Sequence, residues 1–474
     1  MAGNSESIVI GAGPNGLAAA IALAQGGRRV TMYEAAETPG GGSRTAELTL
    51  PGFHHDVCST IQALAPSSPF LSTLGLERFG LEWMRPDLPL AHPFDDGSAA
   101  VLHRSVEETA AQFDLIDADA YHRLIAPLAA RTDTLWEMFL GPIQGAFRHP
   151  VLAAQFGTRG LWPATTLAQS RFRSPAAQAL LAGNTAHSIL DLRNPGTSSF
   201  GLMLMLAAHA DGWPFARGGS QALVDAMAAL LQELGGTIVT GHPIRSLREL
   251  PDDATVIFDL TPRQIADIAD DELPARYRRQ LGRFRYGASA FKLDWALDGP
   301  IPWTAPNARR AGTVHLGGSM AEIVTSEAAV AAGTVSERPF VLLTQPTVFD
   351  GSRAPVGKHI AWAYCHVPAD STEDMTSRIE TQVERFAPGF RNLIIGRSAI
   401  DPASWARYNE NYVGGDINGG RQHLRQQFAR PALRWNPYAT PNPRLFICSA
   451  STPPGGGIHG MSGFHGAQAA LGRR

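Results

Sequence analysis

The segment from Ile8 to Glu34, IVIGAGPNGLAAAIALAQGGRRVTMYE, constrains this chain more than any other. An apolar run (Ile8, Val9, Ile10) leads into Gly11-x-Gly13-x-x-Gly16. An Ala/Leu-rich stretch, a second short apolar run and an acidic residue follow. This order predicts strand, tight turn, helix and strand, the pattern of a dinucleotide site. Gly11 allows the turn, Gly13 lets backbone approach a pyrophosphate, and Gly16 lets the helix lie close on the strand. Pro14 and Asn15 complete the turn beside the helix N-terminus, whose amides favour an anion, and Glu34 is placed to bind a ribose.

The next residues, TPGGGSRT from Thr38 to Thr45, extend the motif. This extension resembles FAD enzymes of the glutathione-reductase-like kind, in which a second glycine pair follows the ribose-binding acid. The resemblance implies that Gly41, Gly42 and Arg44 lie along the pyrophosphate or the flavin edge.

A second informative segment is LFICSASTPPGGGIHGMSGFHGAQAAL, Leu445 to Leu471. It resembles the closing signature of the phytoene desaturase and carotenoid isomerase group of FAD-dependent oxidoreductases, whose bacterial relatives include many of unassigned substrate. In that group a strand, a Thr-x-Pro-Gly-x-Gly turn and a final helix meet the flavin pyrimidine ring. The resemblance implies that Gly460, Met461 and Ser462 present amides there, where a helix N-terminus stabilises reduced-flavin charge by roughly 0.3–2 kcal/mol. Many relatives carry an acid after this strand to bind the ribitol. This chain has Ser449-Ala450-Ser451, so Ser451 is the expected contact. A third segment, from Trp213 to Gly241, places Gly218 and Gly219 before a helix with Leu223, Met227, Leu230, Leu231 and Leu234 at helical spacing. In the family this pair opens a helix beside the flavin.

The implied fold is α/β: a Rossmann-like FAD-binding domain of glutathione-reductase type with an inserted α+β substrate domain. FAD-type segments fall at 1–80, 213–285 and 395–474. Residues 81–212, read as mainly helical, and 286–394, with strand-like runs, form the insert. A length of 474 residues suits two domains at roughly 100–200 residues each. No second GxGxxG is followed by a strand and an acid, so electrons are expected to leave FAD for oxygen, a quinone or another acceptor.

A net charge of −3 without a basic stripe argues against a nucleic-acid partner. Cys58, Cys365 and Cys448 lack a CxxC, which removes a dithiol mechanism, and no metal-ligand spacing is present. No cysteine sits in the turn before the last helix, so FAD is expected to be non-covalent. The start, MAGNSES, lacks a signal-peptide pattern, and no apolar run approaches the ~18 residues of a membrane span. The expected setting is cytoplasmic, with peripheral membrane contact open.

The expected activity is FAD-dependent dehydrogenation or desaturation of an apolar or partly apolar small molecule. Polyene isomerisation by reduced FAD, amine oxidation and a non-catalytic flavin-binding module are the alternatives. Candidate catalytic residues are His459 and His465, flanking the final helix start, and Lys292, two residues from Asp294 on a probable strand. His315, Tyr364 and His366 are pocket-lining candidates.

Overall fold

The computed structural model describes residues 6–472. A five-stranded parallel sheet forms one half of the molecule. Its spatial order is Leu445–Ile447, Thr255–Phe258, Ser7–Ile10, Val30–Tyr33 and Thr237–Val239. Ser7–Ile10 is buried on both faces, which explains why it reads as an unbroken apolar run instead of an alternating one.

The helix Pro14–Gln25 starts with proline in its first turn, where the missing N–H costs nothing. Its small side chains let a second helix, Met461–Ala470, lie against it: a Cβ added to Gly463 would stand 1.9 Å from the Asn15 carbonyl oxygen. Helix Gln221–Glu233 buries Leu223, Met227, Leu230 and Leu231, and ends before Gly235 at φ +84°. Leu234, expected in the same stripe, is the C-cap and is 38% exposed.

The other half is a seven-stranded sheet in the order Ile394–Ile400, Ser289–Leu297, His359–Val367, Val341–Thr344, Ala311–Leu316, Leu88–Pro93 and Ala99–Leu102. All its neighbours are antiparallel except Ala311–Leu316 with Leu88–Pro93. The last two strands lie in the stretch read as mainly helical. They pair with each other as a local antiparallel ribbon, but Leu88–Pro93 joins the sheet through Ala311–Leu316, more than two hundred residues away, so local periodicity carries no trace of that pairing. Helices between Val106 and Asp211 pack beside this sheet, with Pro175–Ala186 and Ser198–Asp211 side by side.

Asp56 ties the two halves together. It accepts hydrogen bonds from Thr45 Oγ1 (2.7 Å), Thr60 Oγ1 (2.6 Å) and the Ser220 amide (2.8 Å), and pairs with Arg353 at 3.0 Å. Both ions are fully buried. Burial pushes the Asp56 carboxyl up, but Arg353 and the three hydrogen bonds outweigh it and hold the group below its ordinary value.

Candidate functional site

A single cavity of about 1150 Å³ runs from the acid at the end of the second strand to the seven-stranded sheet. Its first part is built by the glycine turn. Gly11, Gly13, Pro14, Asn15, Glu34, Gly41, Gly42 and Arg44 all line it, with Asp259 from the strand end facing them. Gly16 does not line it but makes it possible: a Cβ there would meet the Gly11 carbonyl oxygen at 2.0 Å. Gly11 itself sits at φ +100°, a region that favours glycine.

Glu34 organises this end. Its Oε2 accepts the Ala12 amide at 2.8 Å, and Oε1 accepts the Ala36 amide at 3.0 Å and Arg44 at 3.1 Å. Arg44 is fixed in turn by the Thr38 carbonyl (2.7 Å) and stands over the Tyr408 ring at 5.6 Å. The Tyr408 hydroxyl donates to the Gly41 carbonyl at 2.7 Å. Among the described residues Oε2 has one hydrogen-bond partner, which leaves a lone pair open to a further donor.

Asp259 was not singled out by the sequence. Its Oδ2 accepts the Gly16 amide at 2.9 Å, so a carboxyl occupies the helix N-terminus where the dinucleotide motif leads one to expect only phosphate. Burial pushes it up to about 7, the Gly16 and Gly13 amides pull it down, and the charge on Glu34 raises it again.

The middle of the cavity is lined by Cys58, Thr60, Asn418, Gly419, Ser449, Ala450, Ser451 and Gly456 to His459. Ser451 Oγ donates to the Gly419 carbonyl at 3.1 Å. Burial raises the Cys58 thiol to about 11, which leaves it protonated at neutral pH. The turn positions that reach the cavity are therefore Gly456 to His459. Gly460, Met461 and Ser462 are not among its lining residues. The Met461 amide donates to His459 Nδ1 (3.0 Å), Ser462 Oγ donates to the Pro453 carbonyl (3.1 Å), and a Cβ on Gly460 would meet Leu71 at 2.9 Å.

His459 is 1% exposed, and its Nε2 lacks a hydrogen-bond partner among the described residues. Burial lowers it to about 4, so it is a neutral imidazole at pH 7. His465 lies outside the cavity lining, stacked on Tyr438 with 5.5 Å between rings and directed at the Leu140 carbonyl. Lys292 is 1% exposed and pairs with Asp294, which also faces His55 Nδ1 at 3.4 Å; neither Lys292 nor Asp294 lines the cavity. Gly218 and Gly219 stand apart from it too. The Gly218 amide donates to Asp350 Oδ2 at 2.7 Å, and a Cβ on Gly219 would meet Thr45 Oγ1 at 2.3 Å.

The inner end is lined by Met138, Phe156, Met203, Leu204, Trp213, Leu342, Trp362 and Tyr364. Trp362 and Tyr364 stack at 5.6 Å, and Trp362 Nε1 donates to Thr60 Oγ1 at 2.6 Å. Tyr364 lines the cavity, whereas His315 and His366 lie behind its wall.

Residues 9–72 match the model of an NAD(P)-binding Rossmann-like domain. The chain is 25% identical to the lycopene-forming phytoene desaturase of Pseudescherichia vulneris, with 96% of each chain covered. It is 29% identical to the phytoene dehydrogenase of Streptomyces griseus over 77% of this chain and 73% of that one. The chain is an FAD-dependent oxidoreductase related to the phytoene desaturases. A further relative is the mouse pyridine nucleotide-disulfide oxidoreductase domain-containing protein 2, 24% identical over 97% of this chain and 92% of the relative. The fold also resembles that of putrescine oxidase bound to putrescine, with a TM-score of 0.63, 17% identity and 99% and 98% of the two chains covered.

The cavity fits FAD on this structure's own terms. The glycine turn leaves a cradle that side chains would fill, Asn15 at the helix N-terminus lines it, and the buried, unpartnered Nε2 of His459 lies at the far turn. Free Cys58, Cys365 and Cys448 form no dithiol pair among the described residues.

Proposed function

We propose that this protein takes a hydride from an uncharged, largely apolar organic molecule bound at the inner end of the cavity. The continuity of one cavity carries this reading: it begins at the ribose-binding Glu34 and ends among Trp213, Trp362 and Tyr364. FAD bound along it supplies the hydride acceptor, its N5. Glu34 and the Gly11–Gly16 turn bind the adenosine half, Ser451 and the Gly456–His459 turn bind the flavin half, and the aromatic wall orients the substrate and keeps water out. The carboxylates that line the cavity, Glu34, Asp259 and Glu410, all lie toward the adenosine half, so the inner end favours a neutral substrate over an ammonium ion. His459 and Cys58, neutral at pH 7, preserve that low charge.

The acceptor that reoxidises the flavin is oxygen, a quinone or another small acceptor. Phe428 and Trp435 line the cavity and are 57% and 82% exposed, with Leu433 at 79% nearby. Such an apolar rim suits entry from a membrane surface. Among the described residues no helix is long and apolar enough to cross a membrane, so this contact is peripheral. Unpaired thiols accord with a cytoplasmic setting.

Anaerobic mixing of the FAD-loaded protein with neutral apolar metabolites tests the reading. Flavin bleaching by a neutral compound supports it. Bleaching by amines alone, or turnover only after chemical reduction without net redox change, overturns it in favour of amine oxidation or isomerisation.

A further inference from the structure

The inner end of the cavity is largely apolar, and besides Tyr364 its polar side chains gather at one place. Thr313 and Thr344 are register partners on adjacent strands, and both line the cavity. Each is 3% exposed, and each Oγ1 lacks a hydrogen-bond partner among the described residues. Two opposed buried hydroxyls left unsatisfied are an expense a folded core ordinarily avoids, because a lost partner for a buried polar group costs about 1–3 kcal/mol.

His187 lines the same end. Its Nε2 stands 3.0 Å from Nε2 of His315, a fully buried residue two positions from Thr313. Its ring meets Trp213 edge-on at 5.9 Å. Trp213 and Ile189 both adopt positive φ, +52° and +51°, so two strained non-glycine residues flank this ring. Burial lowers His187 to about 3 and also holds His315 well below its ordinary value. The pair is therefore uncharged at neutral pH.

With Nε2 committed to His315, Nδ1 of His187 is the nitrogen left for the cavity. It accepts a hydrogen bond if His187 gives its proton to His315, and donates one if His315 is the donor. Threonine hydroxyls serve in both roles as well. A group that matches all three side chains is uncharged and can itself donate and accept.

We infer that Thr313, Thr344 and His187 form a binding site for a hydroxyl group on an otherwise apolar substrate, with His315 positioning His187. This rests on the reading that the inner end is the substrate site, and it narrows the substrate from a hydrocarbon to an alcohol. A carboxylate and an ammonium are both disfavoured because, among the described residues, no charged side chain lines this end: Lys292, whose Nζ stands 5.2 Å from the Trp362 ring, lies behind the wall and is paired with Asp294.

The test is calorimetric titration of the FAD-loaded protein with octanol, octane, octanoate and octylamine, with FAD content measured separately by flavin absorbance. Octanol is expected to bind about tenfold or more tightly than the other three, the equivalent of one or two net hydrogen bonds. The Thr313→Val/Thr344→Val double variant, close in shape, is expected to lose that preference while binding octane unchanged. His187→Phe should lose most of it, and His187→Gln should recover part. Equal binding of octanol and octane by the native protein overturns the assignment, as does a preference that survives the double valine variant. Tightest binding of octylamine overturns it too. Failure to retain FAD would instead count against the proposed function, and is read from absorbance, not from the titration.

Discussion

Asp259 Oδ2 accepts a hydrogen bond from the Gly16 amide at 2.9 Å, although the residues lie 243 positions apart. The pair places a carboxyl at the helix N-terminus that the dinucleotide phosphates need. It makes cofactor binding a proton-linked event.

The free carboxyl titrates at about 7, chiefly because of burial, and a bound pyrophosphate raises it further. FAD affinity is thus expected to be constant below about pH 7 and to fall as pH rises above it, until the pKa of the bound form is reached. Without cofactor, the same raised value makes Asp259 destabilising progressively from its unfolded pKa up to about pH 7, the penalty staying constant above. Fluorescence titration of FAD across pH checks the slope. Asp259→Asn should flatten it and tighten binding at pH 8, and an unchanged slope would refute the linkage.

Glu34→Ala removes the acceptor for Ala12, Ala36 and Arg44 together with the proposed ribose contact. Loss of a hydrogen bond to a charged group costs about 1.5–3 kcal/mol, so FAD affinity should fall by roughly 10–100-fold. Arg44→Met should show a smaller loss in the same titration, since it frees Glu34 without deleting it.

Removing one ion of the buried Asp56–Arg353 pair should be severe, about 3–5 kcal/mol, because the other is left uncompensated. Arg353→Met is the simpler variant, and thermal unfolding reads the loss. The combined Asp56→Asn/Arg353→Met protein should recover part of it. Asp56 is held below its ordinary value, so its contribution is full above the unfolded pKa and disappears as pH falls through the lower folded one.

Gly460→Val is expected to act on packing. Gly460 lies at φ +66°, and an added Cβ would meet Leu71 at 2.9 Å and Ala18 at 3.1 Å. Overpacking of this kind costs about 1–3 kcal/mol, so the melting temperature should drop. Substitution at Gly457, which lines the cavity, is the one expected to shift the flavin potential. Redox titration of the two variants separates these effects.

Gly11, Gly13, Glu34, Gly41, Gly42, Arg44 and Ser451, proposed here as FAD contacts, line one cavity and stand out in the sequence because each falls in a short local pattern. Asp259 does not, because its role depends on a neighbouring strand whose pairing is set by hydrophobic burial. The reach of the final turn was displaced by a few residues for a similar reason. Helix periodicity marks where amides begin, whereas the packing of Gly460 against Leu71 and Ala18 decides which of them face the cavity. Lys292 shows how far spacing reaches: two positions apart on a strand, Lys292 and Asp294 share a face, and they form the ion pair that this placement suggests. Thr313 and Thr344 carry no sequence signal, since a threonine in a strand is ordinary until its partner is known.

The five-stranded sheet joins Ser7–Ile10 to Leu445–Ile447 through Thr255–Phe258, and the first helix rests on Met461–Ala470. During synthesis the N-terminal βαβ unit therefore emerges long before the strand and helix that complete its surroundings. A ribosome must deliver the chain through Ala470 before a flavin can be enclosed. The nascent protein must keep that apolar face from premature association until then, and a premature stop before Leu445 would yield a chain that neither holds cofactor nor hides its core.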